Sequence, residues 1–212
     1  MQRCLDLLPE WLSRWRLSVN ARKTQATFLE TGLRRLKPDR PLLLNGESLS
    51  WTNPAKYLGV TIDKRINMRA HVTATVNMAR VARAKLRPVF ASSLPLHTKL
   101  LIFKSYIRSR LTYAAPAWYA LTSATLRARL QAQQNLTLRT IVGASRHVRN
   151  DVIHRDMRME TLDEFVRRLA VGMFARAEAT DFLLVRNLAP LHARPPDARQ
   201  CYARHLLPIT ES

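Results

Sequence analysis

KYLGVTIDKRINMRAHVTATVNMARVARAKLRP runs from Lys56 to Pro88, and the character of the chain changes twice inside it. From Tyr57 to Ile62, Tyr, Gly and Thr alternate with Leu, Val and Ile, the period of two that a strand with one buried face requires. From Met68 the apolar residues fall instead at Val72, Val76, Ala79 and Leu86, the spacing of an amphipathic helix that Pro88 should stop. Asp63 lies between the two patterns and is the last carboxylate for a long way. The 87 residues from Lys64 to Asn150 contain no Asp or Glu and hold sixteen Lys and Arg.

Downstream the helical period continues. Ser93 and Pro95 open a second helix with Leu96, Leu100, Phe103, Ile107 and Leu111 inside, and Pro116 interrupts or ends it near Tyr113. Leu126, Leu130, Thr137, Leu138 and Ile141 mark a third, with Gly143 just past its end. Thr161-Leu162-Asp163-Glu164 reads as a capping box for a fourth, carrying Phe165, Val166, Leu169 and Phe174. After Asn187, four prolines (190, 195, 196 and 208) predict an extended or disordered tail.

Upstream, Leu5, Leu8, Leu12, Trp15 and Val19 give one apolar helical stripe, with Glu10 and Arg14 paired on its surface and Asn20 at its end. Thr24 to Leu29 reads as a strand, and Gly32 to Pro41, with Arg34, Arg35, Lys37 and Arg40, as a basic loop. Asn45-Gly46 between Leu42–Leu44 and Glu47–Trp51 supplies the two positive-φ positions of a type I′ hairpin turn. The expected fold is therefore α+β: a helix and a small antiparallel sheet over 1–63, a basic helical unit over 64–150, a helical extension over 151–186 and a tail over 187–212.

The 212 residues are 47% hydrophobic, which excludes disorder throughout. Cys4 and Cys201 form neither a disulfide framework nor a CxxC, so a reducing, intracellular setting in the nucleus or cytoplasm is expected. No apolar run approaches the ~20 residues of a membrane span, and Arg3, Asp6 and Glu10 break any signal-peptide core. Trp11, Trp15, Trp51 and Trp118 are assigned to apolar stripes of the core. His71, His97, His147 and His154 form no ligand set with Cys and are read as structural or surface residues. Outside the acid-free stretch nineteen basic residues face all fifteen acids, so the flanks carry +4 of the net +20. One-sided charge over such a length strains a compact surface unless a polyanion lies against it. A solvated basic face is the plain alternative.

Trp11-Leu-Ser-Arg-Trp15-Arg-Leu-Ser-Val-Asn20-Ala-Arg-Lys23-Thr24 resembles the stretch after the catalytic hairpin in reverse transcriptases of jockey-type non-LTR retrotransposons. There a tryptophan-bearing helix leads into Asn-x-x-Lys-Thr and a strand. Lys56-Tyr57-Leu58-Gly59-Val60-Thr61-Ile62-Asp63, with His71 eight residues on, is similar to the family's next block, and the Trp118 region after Tyr113 to the one beyond. The resemblance runs from about Leu5 to about Gly143. It implies the end of a polymerase palm, a primer grip and a thumb. It also implies that the metal-binding aspartates, in a Tyr/Phe-Ala-Asp-Asp hairpin and further upstream, precede this chain with the fingers and the rest of the palm. Asp6, Glu10, Glu30, Asp39, Glu47 and Asp63 are too scattered to replace them, since two-metal nucleotidyl transfer needs carboxylates clustered around cations ~3.5–4 Å apart.

On that resemblance, Lys23 is the candidate general acid beside the departing pyrophosphate, latent in this chain. Read from the residues alone, it is an ordinary surface lysine at a helix–strand junction. Tyr57, Leu58 and Gly59 match the primer grip, in the family a tight hairpin that holds the growing DNA end; a core strand bulged at Gly59 is the plain reading, and the two are compatible. Arg80, Arg83, Arg87, Lys99 and Lys104 avoid the apolar stripes and are the leading phosphate contacts to a template–primer duplex of RNA and DNA. No cofactor is expected in this chain, Mg²⁺ being expected for the parent enzyme, and no membrane partner. The alternative from another class is a non-catalytic, sequence-independent nucleic-acid-binding protein derived from such an element.

Overall fold

The first helix, α1 (Gln2–Arg14), ends earlier than its apolar stripe, because Arg16 takes a positive φ of 54° and the Trp15 and Arg16 amides turn back to the carbonyls of Leu12 and Ser13. The computed structural model describes residues 1–29 and 41–186. The basic loop at 32–41 lies, apart from residue 41, outside the described residues, as does the proline-bearing tail at 187–212. The described chain divides into two compact units, 1–70 and 71 onward.

In the first unit Asn20 does not end α1. Its side chain caps a short 3₁₀ turn, Ala21–Lys23, instead. The strands are two or three residues long: β1 (Gln25–Ala26), β2 (Leu43–Leu44), β3 (Glu47–Ser48), β4 (Ser50–Trp51), β5 (Ala55–Tyr57) and β6 (Val60–Ile62). Beside two antiparallel hairpins, β2–β3 and β5–β6, there is one parallel pair, β1–β4. The expected single antiparallel sheet is thus replaced by three separate pairs. The β1–β4 ladder is extended by the Thr52 amide donating to the Ala26 carbonyl at 2.9 Å and the Thr27 hydroxyl to the Thr52 carbonyl at 3.0 Å.

Asn45 (φ 52°) and Gly46 (φ 79°) form the hairpin turn their types predict. The alternation from Tyr57 to Ile62 reads as one strand, whereas the primer-grip resemblance implies a tight hairpin, and a hairpin is what forms. Leu58 (φ 44°) and Gly59 (φ 82°) fold the expected single strand 57–62 back on itself, pairing Tyr57 with Val60 and Ala55 with Ile62. A leucine at positive φ is uncommon, and Gly59 carries the second such position.

In the second unit α2 (Arg69–Ala91) continues through Pro88, which costs one backbone hydrogen bond. Phe90, 1% exposed, fixes the turn beyond it in the core. After Pro95 comes α3 (Leu96–Ile102), then a π-helical turn, Phe103–Arg108, then α4 (Ser109–Leu111). Ala114 at φ 50° starts α5 (Ala115–Trp118), with Pro116 in its first turn. Ser123 caps α6 (Ala124–Val142), and Gly143 at φ 64° closes it. A helix that periodicity missed, α7 (Asn150–Asp156), precedes α8 (Leu162–Glu178), and α9 (Leu183–Arg186) ends the described chain.

The core of this unit is where the apolar stripes meet. Val72, Phe103, Ile107, Leu130, Leu138 and Val166 are at most 0% exposed, each contributing roughly 1.5–3 kcal/mol of burial. Helix α8 packs on both α5 and α6, so residues 162–178 share this core with the acid-free stretch. Trp118 is buried as expected and meets the His71 ring edge-on at 4.6 Å. His71 is therefore a core residue, as its lack of ligand partners suggested. Trp11, Trp15 and Trp51 are not core: they are 55%, 66% and 39% exposed. An apolar stripe needs a second layer to bury it, and the main neighbour of α1 among the described elements is the two-residue strand β2.

Two outcomes follow from these packing features. The Thr161 hydroxyl accepts from the Glu164 amide and the Glu164 carboxylate from the Thr161 amide, so both halves of the capping box are made. Thr161→Ala should lower stability by about 1 kcal/mol, read as a lower urea midpoint at an unchanged slope; an unchanged midpoint would contradict the role. Burial holds the His71 imidazole below its ordinary pKa of 6.5. As pH falls below that value the unfolded chain takes up a proton that the folded chain resists, so stability declines on acidification. His71→Gln should flatten this decline in urea titrations run at about pH 7.5 and pH 5.5, and an equal loss in the variant would refute the assignment.

Candidate nucleic-acid interface

In the first unit the Asn-x-x-Lys-Thr segment is a self-bonded turn. The Asn20 side chain accepts from the Lys23 amide at 3.1 Å, and the Thr24 hydroxyl donates to the Asn20 carbonyl at 2.8 Å. These bonds fix the backbone while the Lys23 side chain stands in solvent. The turn packs beside β3. At the other hairpin, Tyr57 and Leu58 project from the tip, 66% and 74% exposed, with Gly59 also exposed. At the hairpin tip these two side chains face solvent more than a core.

Asp63, just after β6, turns the chain toward α2. Its carboxylate accepts from the amides of Arg65 (3.0 Å) and Asn67 (3.3 Å), and Asn67 in turn caps the Arg69 amide at 2.9 Å. The last acid before the acid-free stretch is thereby occupied in local structure.

In the second unit the cations divide into two kinds. Arg108, 9% exposed, lies over the Phe165 ring at 4.1 Å and reaches Glu160 at 3.5 Å. Burial is the main influence lowering its pKa, with Glu160 opposing and Arg168 adding to it. Arg127 reaches Asp163 at 3.8 Å and stacks over Tyr119, whose hydroxyl is pushed up to about 12 chiefly by burial, with Asp163 next. Arg139 braces the loop after α6 through Asn150, Ser145 and Val148. These three build the fold.

Arg80, Arg87 and Lys104 are exposed and have no hydrogen-bond or ion-pair partner among the described residues. Arg80 and Arg87, seven residues apart, lie on one face of α2 about 10 Å apart along its axis. Arg83 is half-buried and donates to Gln133 Oε1 at 3.0 Å, and Lys99 donates to the Ser92 carbonyl at 2.6 Å. Each keeps other donors, because a guanidinium has five and an ammonium three. His97 and His147 are exposed, and His154 bridges the Met159 carbonyl and Asn135, both at 2.8 Å, as structural and surface residues do.

Among the described residues no group of three His, Cys, Asp or Glu side chains stands close enough to hold a metal ion. Asp6 bonds Gln2, Glu10 pairs with Arg14, and Asp63 caps backbone, so the donors do not fit a two-metal centre. A cavity of about 500 Å³ in the second unit, lined by Gln131, Asn135, His154, Arg158, Asp151 and Glu164 among others, mixes both signs of charge and is no phosphate cradle. No described helix is long and apolar enough to cross a membrane. Sequence reasoning missed the role of Arg108 and Arg127. Their partners lie about forty to fifty positions away on and before α8, a separation no local pattern encodes.

No protein-family model matches the chain, and no solved structure does. Curated relatives do. The chain is 30% identical over 198 residues to the probable RNA-directed DNA polymerase from transposon BS of Drosophila melanogaster, covering 92% of this chain and 21% of that protein. It is 28% identical over 209 residues to the RNA-directed DNA polymerase from mobile element jockey of Drosophila funebris, covering 97% and 22%. With the X-element polymerase of Drosophila melanogaster it shares 32% over 189 residues, covering 88% and 20%. The chain thus spans about one fifth of the length of these relatives. Over nearly all of its own length, then, the chain is a relative of the RNA-directed DNA polymerases of jockey-type mobile elements.

Proposed function

We propose that these residues are the part of a mobile-element RNA-directed DNA polymerase that grips the primer and the template–primer duplex, and that they perform no nucleotidyl transfer by themselves. The observation that carries this reading is the division of cations in the second unit. Among the described residues Glu160 and Asp163 are engaged with Arg108, Arg127, Arg167 and Arg168, whereas Arg80, Arg87 and Lys104 stand on the surface with no acid partner. Exposed cations without carboxylates beside them suit phosphates and read no sequence. In this reading 64–150 is the thumb, and the exposed tip Tyr57–Gly59 is the primer grip.

The chemistry belongs elsewhere in the polymerase. The Mg²⁺ used in nucleotidyl transfer would be held by carboxylates outside these residues, in the rest of the palm, and Lys23 would face that centre. An ammonium on a pinned turn suits proton donation to pyrophosphate, but it stays latent without the metal site. The unfitting donor set also favours a second reading, a non-catalytic and sequence-independent nucleic-acid-binding protein derived from such an element.

Binding of the 212-residue chain to an RNA–DNA hybrid duplex should weaken steeply with salt. With about six phosphates neutralised, log K should fall with log[salt] at a slope near −5. Arg80→Ala with Arg87→Ala should reduce that slope by about 2, uniformly across sequences. A flat response in the unaltered chain would end both readings. In primer extension with Mg²⁺ and deoxynucleotides the expected product is none, and extension by the purified chain would refute the non-catalytic assignment.

A further inference from the structure

The π-helical turn Phe103–Arg108 does more than connect two helices. A wide turn inserts a residue, and such insertions often re-aim side chains at functional sites. Here Phe103 and Ile107 remain fully buried, while Tyr106 turns outward and is 42% exposed. Leu101, five residues earlier and therefore one wide turn below it, is also exposed. One α-helical turn beyond Tyr106 stands Arg110.

The Arg110 guanidinium lies 3.7 Å from the centroid of the Tyr106 ring and donates to the Tyr106 carbonyl. The ring and the guanidinium therefore form a stacked pair held by a backbone bond. Among the described residues no carboxylate pairs with Arg110, and the nearest acids in sequence lie beyond residues 64–150. Lys104 stands exposed two residues before Tyr106. A cation–π pair between an exposed ring and a half-buried guanidinium adds little to stability, so the fold itself does not call for it.

We propose that Tyr106 and Arg110 form a stacking platform for an unpaired base, making this helix a contact for single-stranded nucleic acid, separate from the duplex contacts of Arg80 and Arg87. Both planes of a duplex base are covered by its neighbours, whereas a single strand offers a free π-face. The platform presents an aromatic plane and a guanidinium plane already ordered, so little side-chain entropy is lost on binding. Lys104 supplies a phosphate contact beside it. The inference rests on the nucleic-acid reading above but addresses a different strand state, so the two can fail separately.

The test uses the full chain with a fluorescent oligo-dT strand and a blunt duplex of equal length, followed by anisotropy. Tyr106→Ala should weaken single-strand binding about tenfold or more and leave duplex binding within about twofold. Tyr106→Phe should bind as the unaltered chain does, and Arg110→Lys, which keeps the charge but loses the plane, should lose several-fold. A 2-aminopurine base in the single strand should be quenched by the unaltered chain and by Tyr106→Phe, but not by Tyr106→Ala. Equal loss on both ligands, loss in Tyr106→Phe, or no loss in Tyr106→Ala would overturn the platform. Duplex binding without single-strand binding would overturn it while leaving the duplex-gripping role intact; the reverse would overturn that role alone.

Discussion

The buried Arg108 guanidinium is the constraint around which the second unit is arranged. It is held between the Phe165 ring and Glu160, and Glu160 is held in turn by Arg168 at 2.6 Å. A guanidinium removed from water needs such partners, since one left uncompensated costs about 3–5 kcal/mol. The acid-free stretch supplies no carboxylate of its own. It must borrow one from across the fold, and the borrowing docks α8 onto the helices before it. Helix α8 then completes the core through Leu162, Val166 and Ala170.

The same borrowing decides what the surface can do. Glu160 and Asp163 go to Arg108, Arg127, Arg167 and Arg168, and Asp151 and Asp156 go to Arg149 and Arg155 beside them. Among the described residues none of these acids pairs with a cation of α2, with Lys104 or with Arg110. The charge imbalance of the sequence is thus not spread evenly. It is consumed where the core needs it and left open on α2 and around Lys104. In the first unit the economy is one of backbone rather than charge: Asn20, Asp63 and Asn67 spend their side chains on amides, and two positive-φ pairs turn the hairpins.

Features governed by neighbours in sequence are legible in the sequence itself. The Asn45-Gly46 turn, the capping box at Thr161, the Gly143 stop and the Glu10–Arg14 pair each depend on residues within four positions, and each is present. The α+β class followed from the change of period near Asp63. What failed did so for tertiary reasons. Helix α2 overrides Pro88 because Phe90 is anchored, and Trp11 and Trp15 on the stripe of α1 are left exposed among the described residues. The single strand read from the alternation at 57–62 is a hairpin, as the primer-grip resemblance implied, because Leu58 accepts a conformation its residue type disfavours. Of the candidate site, exposure of Lys23, Tyr57, Arg80, Arg87 and Lys104 accords with the types chosen. The structural arginines could not be told from the open ones, because their partners lie some 36 to 52 positions away.

The central claim is that the open cations of α2 and the π-helical turn meet nucleic acid while α8 serves the core. Hydrogen–deuterium exchange on the full chain, with and without a saturating RNA–DNA hybrid that carries a single-stranded overhang, tests it most directly. The account predicts added protection in 69–91 and 96–111 and none in 162–178. Protection concentrated on α8, or no change in the second unit under conditions where the hybrid is bound, would contradict it.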